Sequence, residues 1–155
     1  MLNRLTGAVG LLKETSRHIL RRPVVGVAVV ANTPDGRWLL IQRGDTKKWA
    51  LPGGTLEWGE SLRCSVEREL MEEAGVRVLR MGELCGVYSD PDRDYRFHAV
   101  TVVVRAEVSA PEKPPMNSLE IRDVGLFSAN SLPQDLSLTM GDMLRNAMEG
   151  KLTWE

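Results

Sequence analysis

Cysteine, surplus charge and long apolar runs are all scarce in this sequence, and each shortage removes a class of reading. Cys64 and Cys85 are the only cysteines in 155 residues. Two thiols are too few for a disulfide scaffold, and their spacing is not that of a zinc site. Free thiols in a reducing cytoplasm are therefore expected. The formal net charge is -1, so no global basic field points to nucleic acid or an anionic membrane as partner. Local arginine clusters could still bind a small anion. No hydrophobic run approaches transmembrane length. Met1 to Leu20 is mildly apolar, but Arg4, Thr6, Lys13, Glu14 and Arg17 interrupt it, and it does not read as a secretory leader.

What is present is enough for one well-filled core and too little for two ordinary domains. We read residues 1–155 as a single domain, with 1–20 as an N-terminal helical extension. Leu2, Leu5, Val9, Leu12 and Leu20 give that extension one apolar face, and Pro23 ends it. Val24 to Ala31 is dense in valine and predicts a buried strand. The turn Asn32-Thr33-Pro34-Asp35-Gly36 leads to a second strand, Trp38 to Arg43, and the two should form a hairpin. The loop that follows runs through Lys47, Lys48 and Trp49 to Pro52-Gly53-Gly54. Trp49 is expected to pack and anchor that loop, while Trp58 has no evident place.

Ser61 to Ala74 predicts a helix, with Ser61 as N-cap and Gly75 in a left-handed C-terminal cap. Val76 to Ser89 reads as extended chain with a bend near Gly82, and Asp90 to Tyr95 as a charged turn. Arg96 to Val108 reads as a long strand, Ala110 to Asn117 as a proline-rich loop, Val124 to Ser128 as a last strand and Leu138 to Met148 as a final helix. Strands before, between and after the helices imply an α/β domain with a mixed sheet.

Glu69, Glu72 and Glu73 stand at i, i+3 and i+4, so they project from one side of the first helix. Leu62, Val66 and Leu70 define the expected buried stripe. Glu69 and Glu73 border it, with Glu72 further round. Three like charges at this spacing repel one another. A divalent cation would compensate them, and oxygen donors suit Mg²⁺ or Mn²⁺. A solvated acidic helix would explain the same three residues.

The wider spacing is more specific. Gly54 is followed after five residues by Glu60, then after seven by Arg68-Glu69-Leu70, then by Glu72-Glu73 and Gly75-Val76. This resembles the Nudix box at every specified position, and Leu51-Pro52-Gly53-Gly54 resembles its lead-in. The resemblance implies a Nudix fold, an α/β/α sandwich with a mixed central sheet. It implies Mg²⁺, replaceable by Mn²⁺, on Glu69, Glu72, Glu73 and the Gly53 carbonyl, with Glu60 and Arg68 as an orienting pair. The activity implied is hydrolysis of a nucleoside diphosphate linked to another group, X. The general base would come from the box or from Glu120, which lies in a stretch similar to the family's downstream segment.

Tyr88 to His98 resembles a segment of Nudix enzymes acting on ADP-ribose and nucleoside diphosphate sugars, departing from it at Tyr95. On that resemblance Arg93 and Arg96 would clamp phosphates, Tyr95 or Phe97 would stack on the ligand, and His98 and Arg43 would lie near it. A charged hairpin turn and a structural histidine are the plainer readings. An ADP-ribose or sugar-nucleotide hydrolase, working as a cytoplasmic homodimer, is thus expected. The alternatives are a hydrolase of modified triphosphates or dinucleoside polyphosphates, and a non-catalytic nucleotide sensor.

Overall fold

The computed structural model describes residues 22–94 and 96–155, and only the backbone of Leu138. The expected N-terminal helix and Tyr95 lie outside the described residues. Strand β1 (Val24–Asn32) lies at the centre of the sheet and is apolar on both faces, as a strand covered on both sides must be. Its residues alternate between two cores. Val27, Val29 and Ala31 enter one, and Ala28 and Val30 enter the other.

β1 turns into β2 (Trp38–Arg43) as an antiparallel hairpin, with Asn32 opposite Trp38. Along its other edge β1 runs parallel to β5 (Ala99–Val108), from Val24 opposite Ala99 to Asn32 opposite Glu107. β2 pairs antiparallel with the short β3 (Trp49–Ala50) and with β6 (Ile121–Phe127). β4 (Val78–Tyr88) pairs antiparallel with β5, and β7 (Thr153–Trp154) adds to β4 in parallel. The order is β3-β2-β1-β5-β4-β7, with β6 on β2. The sheet is mixed, as expected.

Helix α1 (Leu62–Ala74) covers one face through Val66, Leu70 and Ala74. Helix α2 (Leu138–Met148) covers the other through Met143, Leu144 and Ala147, against Leu40, Leu51 and Tyr88. Fully burying one Val or Leu side chain stabilises by about 1.5–3 kcal/mol, so these two stripes set the layer order. The α/β/α sandwich follows. No helix among the described residues is long and apolar enough to cross a membrane.

Several boundaries differ from expectation. Leu62 is exposed, so the buried stripe of α1 begins a turn later, at Val66. Arg96, Phe97 and His98 precede β5 rather than belonging to it. β5 starts opposite the first residue of β1, where the Val24 amide donates to the His98 carbonyl at 2.9 Å. The last long strand starts at Ile121, and β3 and β7 are too short to show a period. The bend near Gly82 is an irregularity in pairing between Met81 and Leu84. Trp49 packs edge-on against Phe127 at 4.9 Å, whereas Trp58 is fully exposed.

Candidate metal and substrate site

The loop after β3 is tied along β1 by three main-chain hydrogen bonds. Val29 donates to Pro52 at 2.8 Å, Val27 to Gly54 at 2.8 Å, and Leu56 donates to Val25 at 2.9 Å. This wedges Gly53 and Gly54 between the sheet and α1. Gly53 has φ 149°, and a Cβ there would collide with the Val27 carbonyl. A Cβ at Gly54 would occupy the space of the Glu69 carboxylate. Backbone can lie this close to both only without side chains.

The facing helix starts at Ser61, whose hydroxyl accepts the Cys64 amide. It stops at Gly75, at φ 62°, whose amide reaches back to the Leu70 and Met71 carbonyls. Between these caps the helical period places Glu69 and Glu73 at the edge of the buried stripe, each only 8% exposed. Glu72 is half-buried. The Gly53 amide donates to Glu73 Oε2 at 2.7 Å, which ties the glycine loop to the helix.

Arg68 organises the remainder. Its Nε and Nη2 donate to Glu60 at 3.0 Å each, and its Nη1 to Glu69 at 2.9 Å and to Glu72 at 3.3 Å. Arg68 also donates to the Thr55 carbonyl at 3.2 Å. Beside this guanidinium the Glu60 carboxyl drops to about 2. Burial, opposed by Arg68, raises Glu69. Burial also pushes Glu73 up to about 8; the Gly53 amide opposes the rise, and the charges of Glu69 and Glu120 add to it.

Glu60, Glu69 and Glu72 thus share one arginine, and Glu73 has no contact with it. The donors are all oxygen, negative charge is in excess in a poorly solvated place, and the glycines leave room beside it. That set fits a hard divalent cation. Among the described residues, no three acidic, histidine or cysteine side chains already stand as a ligand cage. Arg68 engages two of the glutamates instead.

Across a cleft of about 470 Å³ from Glu69, Glu72 and Glu73 lie Arg43, Arg96 and Phe97. Arg43 grips Asp45 with two hydrogen bonds, at 3.0 and 2.8 Å. Arg96 grips Asp94 in the same way, at 2.9 and 2.7 Å, and lies 5.2 Å over the Phe97 ring. Glu120 opens on the same cleft. It is exposed, its carbonyl accepts the Gly44 amide at 2.6 Å, and its carboxylate accepts from Asn117 at 3.3 Å.

The fold therefore gathers Gly53, Glu69, Glu72, Glu73, Glu120, Arg43 and Arg96 around one cavity. Arg93 and His98 are not among its walls. The Arg93 guanidinium turns towards α2 and binds Asp142 and Glu155, while lining a neighbouring cavity of about 250 Å³ with Arg43 and Arg96. His98 Nε2 donates to the Ser89 carbonyl at 2.9 Å. Both have their hydrogen-bonding groups engaged outside the cleft, on Asp142 and Glu155 and on Ser89. Sequence reasoning missed Asp45 and Asp94, although each lies two residues from its arginine. It also missed Asp142 and Glu155, for which no local signal exists.

A glycine loop laid on a strand, a helix with buried acids, and two arginines lining the same cleft together make a site whose groups suit a divalent metal and anionic ligands, on an α/β/α sandwich. Residues 21–147 match the family model of the NUDIX domain, and the chain belongs to the Nudix family. It is 36% identical over 103 residues to an ADP-ribose pyrophosphatase of Methanocaldococcus jannaschii, covering 64% of this chain and 59% of that protein. It is 48% identical over 69 residues to a MutT-like protein of Streptomyces ambofaciens, covering 44% of each. The chain thus spans about half the length of these curated relatives. The fold superposes on a MutT NUDIX hydrolase from Burkholderia pseudomallei with TM-score 0.70 and 30% identity, over 81% of this chain and 98% of that one.

Proposed function

We propose that the chain is a divalent-metal-dependent pyrophosphohydrolase, acting on a nucleoside diphosphate linked to a sugar, with ADP-ribose included. The products would be a nucleoside monophosphate and a sugar phosphate. The observation that carries this reading is one cavity lined both by three glutamates that outnumber their one arginine, Arg68, and by Arg43 and Arg96. The similarity to a protein described as an ADP-ribose pyrophosphatase supports the choice of substrate.

Glu69, Glu72, Glu73 and the Gly53 carbonyl, with Glu120, are the groups that would hold Mg²⁺, or Mn²⁺ in its place. When bound, the ion neutralises the diphosphate and acidifies a water. The chain's own residues do the rest. Arg43 and Arg96 exchange one aspartate contact each for phosphate oxygens and orient the leaving group. Glu120, exposed at the cleft with its carboxylate accepting from Asn117, collects the proton of the attacking water. Glu60 keeps Arg68 in place, and Arg68 keeps Glu69 and Glu72 aimed.

The test is a panel of ADP-ribose, GDP- and UDP-sugars, dinucleoside polyphosphates and oxidised nucleoside triphosphates with Mg²⁺ or Mn²⁺, scored by monophosphate release. Turnover of sugar nucleotides that Glu73→Gln removes is the expected result. Cleavage of triphosphates alone would replace this reading with the modified-triphosphate alternative. Saturable binding without turnover of anything would point to a sensor. A homodimer is part of the proposal, and light scattering of the full chain measures it.

A further inference from the structure

We infer that Glu155 and Asp142 are positioning residues for substrate binding, acting through Arg93 on the turn that presents Arg96 and Phe97 to the cleft. This rests on the hydrolase reading above.

The connection from β4 to β5 covers residues 89–98, and its exposed part includes Arg96, Phe97 and His98. These side chains have little core beneath them, so the turn must be held from its other end. That end is Pro91–Arg93, a single 3-10 turn. Arg93 Nε donates to Glu155 Oε2 at 2.8 Å, and its Nη2 donates both to the other oxygen of Glu155 and to Asp142 at 3.0 Å. Its Nη1 reaches the Thr139 carbonyl at 3.3 Å. The guanidinium carbon lies 4.6 Å from the centre of the Tyr88 ring, which is 1% exposed. One planar group thus joins the end of β4, helix α2 and the residue after β7.

Glu155 holds the turn at more than one point. Its carbonyl accepts the Ser89 hydroxyl at 2.9 Å, its side chain accepts the Asp90 amide at 3.3 Å, and its own amide donates to Val87 at 3.1 Å. The parallel pairing of β7 with β4, Gly86 with Thr153 and Val87 with Trp154, delivers it there. Three residues beyond Arg93, Arg96 lines the cleft and is gripped there by Asp94. Arg93 is the fixed foot of the turn, and Arg96 is its presented arm.

The carboxylate wall is held separately, by β1 and the glycine loop. Loosening the foot should therefore leave the chemistry intact and charge the cost of ordering Arg96 to the binding step. Glu155→Gln and Asp142→Asn keep shape and remove charge. Together they are expected to raise KM for a hydrolysed sugar nucleotide about tenfold, with kcat within about twofold. Glu155→Asp, which keeps the charge, should restore part of the loss. In an Arg96→Ala background the same pair should raise KM far less, since only Phe97 remains on the turn to be placed. Amide exchange of residues 89–98 should quicken in the double variant whatever substrate is turned over.

Unchanged exchange would overturn the anchoring, and an equal rise in KM without Arg96 would overturn the positioning. A loss of kcat with a normal melting temperature would do so too. A wild-type chain that hydrolyses nothing on the panel would count against the proposed activity, while the exchange measurement would still decide the anchoring.

Discussion

On one wall of the cleft, the carboxylates of Glu69, Glu72 and Glu73 are held by groups close to them in the chain. The longest of these side-chain ties, from the Gly53 amide to Glu73, spans 20 positions, and those of Arg68 to Glu60, Glu69 and Glu72 span eight or fewer. On the other wall, the turn bearing Arg96 is fastened through Arg93 to Asp142 and Glu155, 49 and 62 positions away. The wall assigned to metal is local and rests on a capped helix and a strand. The wall assigned to substrate is assembled from the ends of elements. A local wall tolerates change elsewhere in the fold, whereas an assembled one can be retuned from the C-terminal strand.

The strongest break in this comparison should come from the local wall. Glu73→Gln is expected to lower turnover by about 10²- to 10³-fold, as loss of one preorganised electrostatic group commonly does. The same variant should abolish the rise in melting temperature that Mg²⁺ gives the wild type. At 100 times its dissociation constant an ion stabilises by about 2.7 kcal/mol, so calorimetry with Mg²⁺ and with chelator reads the effect directly.

Next in size is the scaffold beneath that wall. Leu70 is fully buried on the inner face of α1, and Leu70→Ala should cost about 2–5 kcal/mol in urea unfolding. Gly54→Ala has a different signature. Its methyl group would displace the Glu69 carboxylate, so metal-dependent turnover should fall more steeply than stability. Equal losses in both would show that Gly54 serves folding alone.

The smallest effect belongs to the assembled wall. Arg93 holds the Glu155 carboxyl down at about 2, below its ordinary 4.5. A depressed carboxyl contributes stability that is complete above about 4.5 and is lost as pH falls through about 2. The pair is largely solvated, so the contribution should stay below about 1 kcal/mol. Wild type and Glu155→Gln should therefore differ slightly in melting temperature at pH 6 and converge as pH approaches 2. A gap that widens on acidification would contradict the assignment.

Particular residues show why one wall was readable in the sequence and the other was not. Helical geometry turns the spacing of Glu69, Glu72 and Glu73 into a shared face, and alternation turns Val27 to Ala31 into a strand with two buried faces. Both are periodic, and periods survive in one dimension. Arg43 and Arg96 could be named as candidates from type and neighbourhood. Arg93 resembled them in every local respect, yet it points to α2, because the direction of a turn residue follows from what the flanking strands pack against. His98 was expected within a strand but precedes it, since β5 begins only where β1 offers a partner. Glu155 could not be found at all, because β7 is two residues long and its register on β4 is a tertiary fact.

By itself, then, the sequence determined the buried valine-rich strand, the capped helix, its acidic face and the glycines of the loop before it. Those follow from backbone geometry and spacing over a few turns of chain. Only the tertiary structure decided that Glu120, Arg43 and Arg96 meet these acids across one cleft and that Arg93 is anchored away from it. The physical reason is that such contacts join residues with no common period. Their distances are set by sheet order, strand register and the packing of α2 against the far face.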